Sequence, residues 1–214
     1  MFNCVIFDLD GTLIDTRPGI IESVQYTIKK LGLRSLSQQK LLTFIGPPLL
    51  NSFINACGCT EDQALQAVKV FREYYQHGAV FDAKPYIGIK ELCDELALSG
   101  VKMGVATNKP QRFADALMKK FGLDKFDAIL GADEEGKLTK SELIRLCMSK
   151  LEVECADTVM VGDTENDAKG AEKACVGFIA VTYGYGYRTE DDINGNVIGV
   201  ANSPFEIKEI VLNH

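Results

Sequence analysis

No apolar run in this chain approaches the roughly 18 to 20 residues that a membrane-spanning helix needs. The N-terminus also lacks a basic segment followed by an apolar stretch and a small-residue cleavage site. The expectation is an unexported, cytoplasmic protein with no membrane as partner. Positive charge is scarce too: 23 Lys and Arg stand against 30 Asp and Glu, a net charge of -7. Nucleic acid and anionic lipid surfaces both require a basic face, so neither is expected as the main partner. A small phosphorylated metabolite remains compatible, because its site needs only local positive charge from a metal ion, a lysine and a helix N-terminus. Histidine occurs only at His77 and His214, neither beside a chemically active motif, which sets histidine phosphotransfer aside. The seven cysteines (Cys4, Cys57, Cys59, Cys93, Cys147, Cys155, Cys175) are odd in number and scattered. Cys57 and Cys59 form the one close pair, with no second Cys or His pair at zinc spacing. Reduced structural thiols are the expected reading.

What is present begins at once. The apolar run Cys4-Val5-Ile6-Phe7 leads directly into Asp8-Leu9-Asp10-Gly11-Thr12. A strand ending in this way carries two carboxylates out of a hydrophobic core onto a turn, where they can share a divalent cation. With 214 residues, 46% of them hydrophobic, the chain can bury one core, or one core plus a small inserted domain.

The following sixty or so residues read as helix. Pro18 suits the first turn of a helix carrying Ile20, Ile21, Val24, Ile28 and Leu31, stopped by Gly32. Further helical stretches cover Gln38-Phe44 and Pro48-Ala56. Thr60-Glu61-Asp62-Gln63 has the form of a capping box opening another helix. From Pro85 onward strands alternate with helices: helix Gly88-Leu98, strand Val101-Ala106, helix Pro110-Phe121, strand Ala128-Leu130, helix Lys140-Leu151, strand Thr158-Val161, a helix from near Asp163, and strand Gly177-Val181. This alternation predicts an α/β, doubly wound parallel sheet, a Rossmann-like core over residues 1–15 and 85–214. Residues 16–84 form an all-helical insertion after the first strand.

In such sheets the ligand lies outside the carboxyl ends of the strands. Three strand ends here carry useful groups: Asp8 with Asp10, Thr107 with Asn108, and Asp163 within Gly162-Asp163-Thr164-Glu165-Asn166-Asp167. Asp167, four residues after Asp163, falls one helical turn away on the same side. Thr139-Lys140-Ser141-Glu142 reads as a capping box that puts Lys140 at the first helical position. Lys137, after Gly136, competes with Lys140 for the same place. Tyr183-Gly184-Tyr185-Gly186-Tyr187 follows the last core strand, lacks the lysine and spacing of a P-loop, and reads as a mobile loop near the site mouth.

Taken together, Asp8-x-Asp10-Gly11-Thr12, Thr107-Asn108, the lysine and Gly162-Asp163-x-x-x-Asp167 resemble the four motifs of the haloacid dehalogenase superfamily in its phosphatase form. Within it, Phe44-Ile45-Gly46-Pro47-Pro48-Leu49, Tyr86-x-Gly88 and Thr107-Asn108-Lys109-Pro110 look most like phosphoglycolate phosphatases. The resemblance implies Asp8 as nucleophile and Asp10 as general acid and base. It further implies Thr107, Asn108, Gly11 and Lys140 as phosphate-binding groups, and Lys140 as the lysine that offsets charge between nucleophile and phosphate. The implied metal is Mg2+, held by Asp8, the Asp10 main-chain carbonyl and Asp163, with Asp167 in support. The helical insertion corresponds to a cap. The lysine departs from the family in lacking a following proline. The leading expectation is a phosphomonoesterase working through an aspartyl phosphate, with 2-phosphoglycolate as first candidate substrate, acting as monomer or homodimer. A nucleotide or pyrophosphate phosphohydrolase, a sugar phosphomutase and a non-catalytic binding module are the alternatives. Asp10 disfavours dehalogenation, for which the family usually has tyrosine at that place.

Overall fold

The computed structural model describes residues 2–123, 125–133, 137–193, 195 and 197–213. Gly136 and His214 lie outside these residues. The described chain divides into two compact units, one of residues 1–15 with 85–214 and the other of residues 16–84.

The first unit is built on six parallel strands: β1 (Cys4–Phe7), β2 (Lys102–Pro110), β3 (Ala128–Ala132), β4 (Thr158–Gly162), β5 (Gly177–Val181) and β6 (Gly199–Ala201). Their spatial order is 3-2-1-4-5-6. Strand β1 sits in the middle, Phe7 pairing with Val105 on one side and Val161 on the other. All four of its residues are fully buried. A strand covered on both faces has to be apolar throughout, which is why Cys4-Val5-Ile6-Phe7 shows no polar alternation. Five helices accompany the sheet: Ile89–Leu98, Gln111–Lys120, Lys140–Leu151, Glu165–Ala174 and Pro204–Asn213. On one face Leu143, Ile144, Cys147 and Leu151 pack with Ile6, Met160, Ala171 and Phe178 in a single apolar cluster.

The sequence of strands reverses direction between β1 and β4, so the connections diverge there and leave a crevice at the strand ends. Asp8 emerges from β1 and Asp163 from β4, on the two sides of that point.

Two boundaries beside the site differ from the sequence expectation. Strand β2 continues through Pro110 instead of ending at Ala106, because a bulge after Thr107 lets it resume pairing with Ala132. The helix after β4 starts at Glu165 rather than near Asp163, since Thr164 takes the N-cap and accepts the Asp167 N–H through its hydroxyl. Strand β6 and the terminal helix Pro204–Asn213 are additional elements. Three residues of strand are too few to register as a period.

The second unit contains helices Arg17–Leu31, Gln38–Leu42, Leu49–Cys57 and Glu61–Gln76, with a 3-10 turn at Ala79–Phe81. Pro18 occupies the first turn of the first helix, and the Thr60–Gln63 capping box opens the fourth. Phe44 and Phe53 meet edge to face at 4.9 Å between centroids, and Phe71 stacks on Tyr75. Apolar side chains of Ile20, Val24 and Ile28 are buried at helical spacing. Among the described residues no helix is long and apolar enough to cross a membrane. All seven cysteines are free thiols.

Candidate active site

Asp8 continues the pairing of β1 for one residue, its N–H donating to the Val161 carbonyl at 2.9 Å. Its side chain therefore leaves the sheet at a fixed height. Lys140 reaches it from the start of the helix that follows β3. The Thr139 hydroxyl and the Glu142 carboxylate form a reciprocal capping box that starts the helix at Lys140. From there Lys140 Nζ donates to Asp8 Oδ1 at 2.7 Å and to the Ala106 carbonyl at 3.0 Å, and lies 2.8 Å from Asp167 Oδ1. Lys137, by contrast, is exposed, and its N–H donates to Asp133 Oδ1. Of the two candidate lysines, the structure brings Lys140 to Asp8.

Asp163 is fully buried. Its Oδ2 accepts the N–H groups of Tyr185 at 2.6 Å and Gly186 at 3.3 Å, while Oδ1 has no hydrogen-bond partner among the described residues. Asp167 is held by Thr164, whose N–H and hydroxyl both donate to Oδ2. Asp8, Asp163 and Asp167 each offer an oxygen, and these oxygens lie within 4.8 Å of one another.

Three buried carboxylates thus face one ammonium, an excess of negative charge in a medium that solvates it poorly. The electrostatics register this directly. Burial pushes the Asp8 carboxyl up to about 6 despite the opposing pull of Lys140, with Asp167 and Asp10 adding to the rise. Burial, then Asp167 and Asp8, push Asp163 up to about 8, against the two N–H donors. Burial alone would make Lys140 a stronger acid, but Asp167 and Asp8 more than offset it and raise its pKa. An all-oxygen cluster with excess negative charge and one orphaned, fully buried carboxylate oxygen fits a hard divalent cation.

The remaining sequence candidates gather nearby. Asp10 pairs with Lys109, whose Nζ lies 2.8 Å from Oδ1 and 3.1 Å from Oδ2. Thr107 is buried at the end of the regular part of β2, and Asn108, half-buried, follows it. Gly11, expected among the phosphate-binding groups, lies in the turn directly after Asp10. Its N–H donates to Ile14 within the turn at 3.0 Å, and its φ is +89°. What it supplies is space, because a Cβ there would collide with Asp163 Oδ2.

Sequence reading missed two features. Lys109 enters the sequence reading only as a member of the Thr107-Asn108-Lys109-Pro110 run, with no role of its own, although motif residues precede it directly. The Tyr183–Tyr187 segment is tied down at several points rather than being a free loop. Its Tyr185 and Gly186 amides hold Asp163, and the Tyr187 N–H donates to the Asp163 carbonyl. The Tyr183 hydroxyl reaches the Thr12 carbonyl at 3.0 Å and Tyr185 reaches Asp15 Oδ1 at 3.2 Å. Gly184 passes so close to Asp163 and Gly11 that no side chain fits. Alternating glycines between aromatic residues were the available signal for such a close approach.

The profile of the family described as haloacid dehalogenase-like hydrolase matches residues 5–181. The chain belongs to this family. A 5'-nucleotidase from Pseudomonas aeruginosa is 37% identical over 194 residues, covering 90% of this chain and 87% of that protein. A phosphoglycolate phosphatase from Vibrio parahaemolyticus is 29% identical over 217 residues, covering 97% and 95%. Among solved structures, a "predicted phosphatase" from Clostridium acetobutylicum superposes with a TM-score of 0.91 at 36% identity, over 100% of both chains. As a haloacid dehalogenase-like hydrolase with such relatives, the chain is an enzyme of the phosphatase kind.

Proposed function

We propose that this hydrolase is a magnesium-dependent phosphomonoesterase that removes phosphate from a small phosphorylated metabolite through an aspartyl phosphate on Asp8. The observation that carries the reading is the buried Asp8, Lys140, Asp167 and Asp163 cluster with its unpartnered Asp163 Oδ1. Asp8, Asp163 and the Asp10 main-chain carbonyl are the groups that hold the cation, with Asp167 in support. Bound there, the cation supplies charge neutralisation for nucleophile and phosphate, which an all-oxygen site suits magnesium to provide.

In this scheme an Asp8 carboxylate oxygen attacks phosphorus in line with the ester oxygen. The new O–P bond forms as the ester P–O bond breaks. Lys140 balances charge between Asp8 and the equatorial phosphate oxygens, and Thr107 with Asn108 binds those oxygens. Asp10, carrying a proton at that moment, gives it to the departing alkoxide. It then takes a proton from the water that hydrolyses the aspartyl phosphate, returning Asp8 as a carboxylate. The helical unit, residues 16–84, serves as the cap that selects the leaving group.

Of the substrates, 2-phosphoglycolate is supported by the cap and core motifs that look like phosphoglycolate phosphatase. A second reading, a nucleoside 5'-monophosphate, is favoured by the higher identity to the Pseudomonas 5'-nucleotidase. Each has an alkoxide leaving group, and both need Asp8, Asp10, Lys140, Thr107 and Asn108.

The test is inorganic phosphate release from a panel of 2-phosphoglycolate, nucleoside monophosphates, sugar phosphates and pyrophosphate, with magnesium or chelator, for wild type and Asp8→Asn. Release that requires both the metal and Asp8 is expected. Turnover by Asp8→Asn at the wild-type rate would remove the covalent scheme. Phosphate appearing on a second sugar instead of in solution would make the enzyme a mutase.

A further inference from the structure

Lys109 lies in the site without a part in the scheme above. Strand β2 pairs Thr107 with Gly131 and Pro110 with Ala132, so Asn108 and Lys109 form a bulge between two successive pairs of the ladder. Bulges recur beside active sites because they re-aim side chains that a regular strand would point elsewhere. Here the bulge turns Lys109 inward. Its side chain is 5% exposed, and Nζ contacts both oxygens of Asp10. Its main chain acts as well, the N–H donating to Thr107 Oγ1 at 3.2 Å. A hydroxyl oxygen that accepts there keeps its own proton for another acceptor. One residue thus fixes the orientation of two groups that come from strands β1 and β2.

Stability is a poor reason for such an arrangement. A buried ion pair gives up about as much hydration as it gains in attraction, and an apolar pair of similar volume serves a core equally well. Asp8 and Asp167, moreover, have an ammonium of their own in Lys140. What a two-point contact on Asp10 supplies is direction. Proton delivery to an ester oxygen requires the acid within hydrogen-bond reach of it, and a carboxyl group free to rotate spends most of its time elsewhere.

We propose that Lys109 is a positioning residue for phosphoester cleavage, holding the Asp10 carboxyl group through Nζ and the Thr107 hydroxyl through its N–H. Lys109 keeps its own protons throughout. As the P–O bond breaks, its electron pair goes to the ester oxygen, which takes the proton of Asp10. The proposal rests on the reading of Asp10 as general acid.

The experiment compares wild type, Asp10→Asn, Lys109→Met and Lys109→Gln, with magnesium, on two esters. One is the best alkyl phosphate of the substrate panel, whose leaving group needs a proton. The other is 4-nitrophenyl phosphate, whose phenolate departs without one. A general acid contributes about a hundredfold to ten-thousandfold, and losing its orientation forfeits part of that. Lys109→Met is therefore expected to lower kcat on the alkyl ester by roughly tenfold to a hundredfold, and on the aryl ester by less than about threefold, with KM changed little on either. Asp10→Asn is expected to show the same selectivity more strongly. Equal loss on both esters by Lys109→Met, a rise in KM alone, or no loss overturns the proposal while selective loss in Asp10→Asn leaves the reading of Asp10 standing. Uniform loss in Asp10→Asn overturns that reading, and the role of Lys109 with it. If Lys109→Met does not fold, Lys109→Gln, of similar length and uncharged, carries the same comparison, selective loss being expected and uniform or absent loss overturning it.

Discussion

At the scale of the residue, the site depends on what is left free as much as on what is bonded. Asp163 spends one oxygen on two backbone N–H groups, which fixes its rotamer and aims the other oxygen into the cluster. The glycines beside it allow this, since a Cβ on Gly184 would collide with the Asp163 side chain and with the Gly11 carbonyl. Gly184→Ala is expected to shift Asp163 and weaken magnesium binding by about tenfold to a hundredfold, the range seen when groups that orient a metal ligand are disturbed. Titration calorimetry with magnesium alone reads this, and wild-type affinity in a folded variant would deny the segment its role. Lys140 gives a second expectation. Lys140→Met leaves Asp8 and Asp167 buried without their ammonium, at a cost of about 3–5 kcal/mol in unfolding free energy. Denaturant unfolding without metal measures it; an unchanged midpoint would mean that the two carboxylates relax to solvent. Asp8 and Asp163 were legible because each directly follows an apolar strand, and Asp10 because it stands two residues beyond Asp8. The grip of the Tyr183–Tyr187 segment on Asp163 was not, since it arises from chain geometry across more than twenty residues and uses backbone donors that every sequence possesses.

At the scale of the element, helix starts do much of the placing. Lys140 is the first residue of Lys140–Leu151, and its direction is set by the capping box at Thr139. Thr139→Ala is expected to cost about 0.5–2 kcal/mol of stability, typical of a lost N-cap, and to lower kcat because the helix then starts less definitely at the lysine. Thermal unfolding and steady-state kinetics check the two effects; a stability loss with unchanged kcat would show that Asp8 and Asp167 alone position Lys140. The boxes at Thr60 and Thr139 could be read from the sequence because capping is local, a hydroxyl and an amide or carboxylate three residues apart. A third box, Thr164 with Asp167, escaped because its acid is the shorter aspartate. The bulge in β2 escaped for a different reason. The register shift at Asn108 and Lys109 is set by how β2 pairs with β3, which no window of β2 alone contains.

At the scale of the whole molecule, alternation of strands and helices after Pro85 was legible because a parallel sheet covered on both faces imposes a long, coarse pattern. The fold then gathers carboxylates from two strand ends and a helix start into one buried cluster, a charge problem that no single segment displays. Its sign predicts how the enzyme responds to pH. The Asp8 and Asp163 carboxyls are raised from an ordinary 3.8 to about 6 and about 8, chiefly by burial. The metal-free folded state therefore binds these protons more tightly than the unfolded chain does. The two groups cost no stability below about pH 4, where both states are protonated, and an increasing amount as pH rises through about 6 and then about 8. A divalent cation removes that cost by replacing the protons as the balancing charge, and competes poorly with them at low pH. The rise in Tm produced by saturating magnesium, relative to chelator, is thus expected to be small near about pH 5 and to grow steadily toward about pH 8. Asp163→Asn, with no charge to balance at that position, should flatten the upper part of this dependence. A magnesium effect that stayed constant over the whole range in wild type would mean that the cluster carboxylates are already ionised at about pH 5, held so by a hydration that burial has not removed.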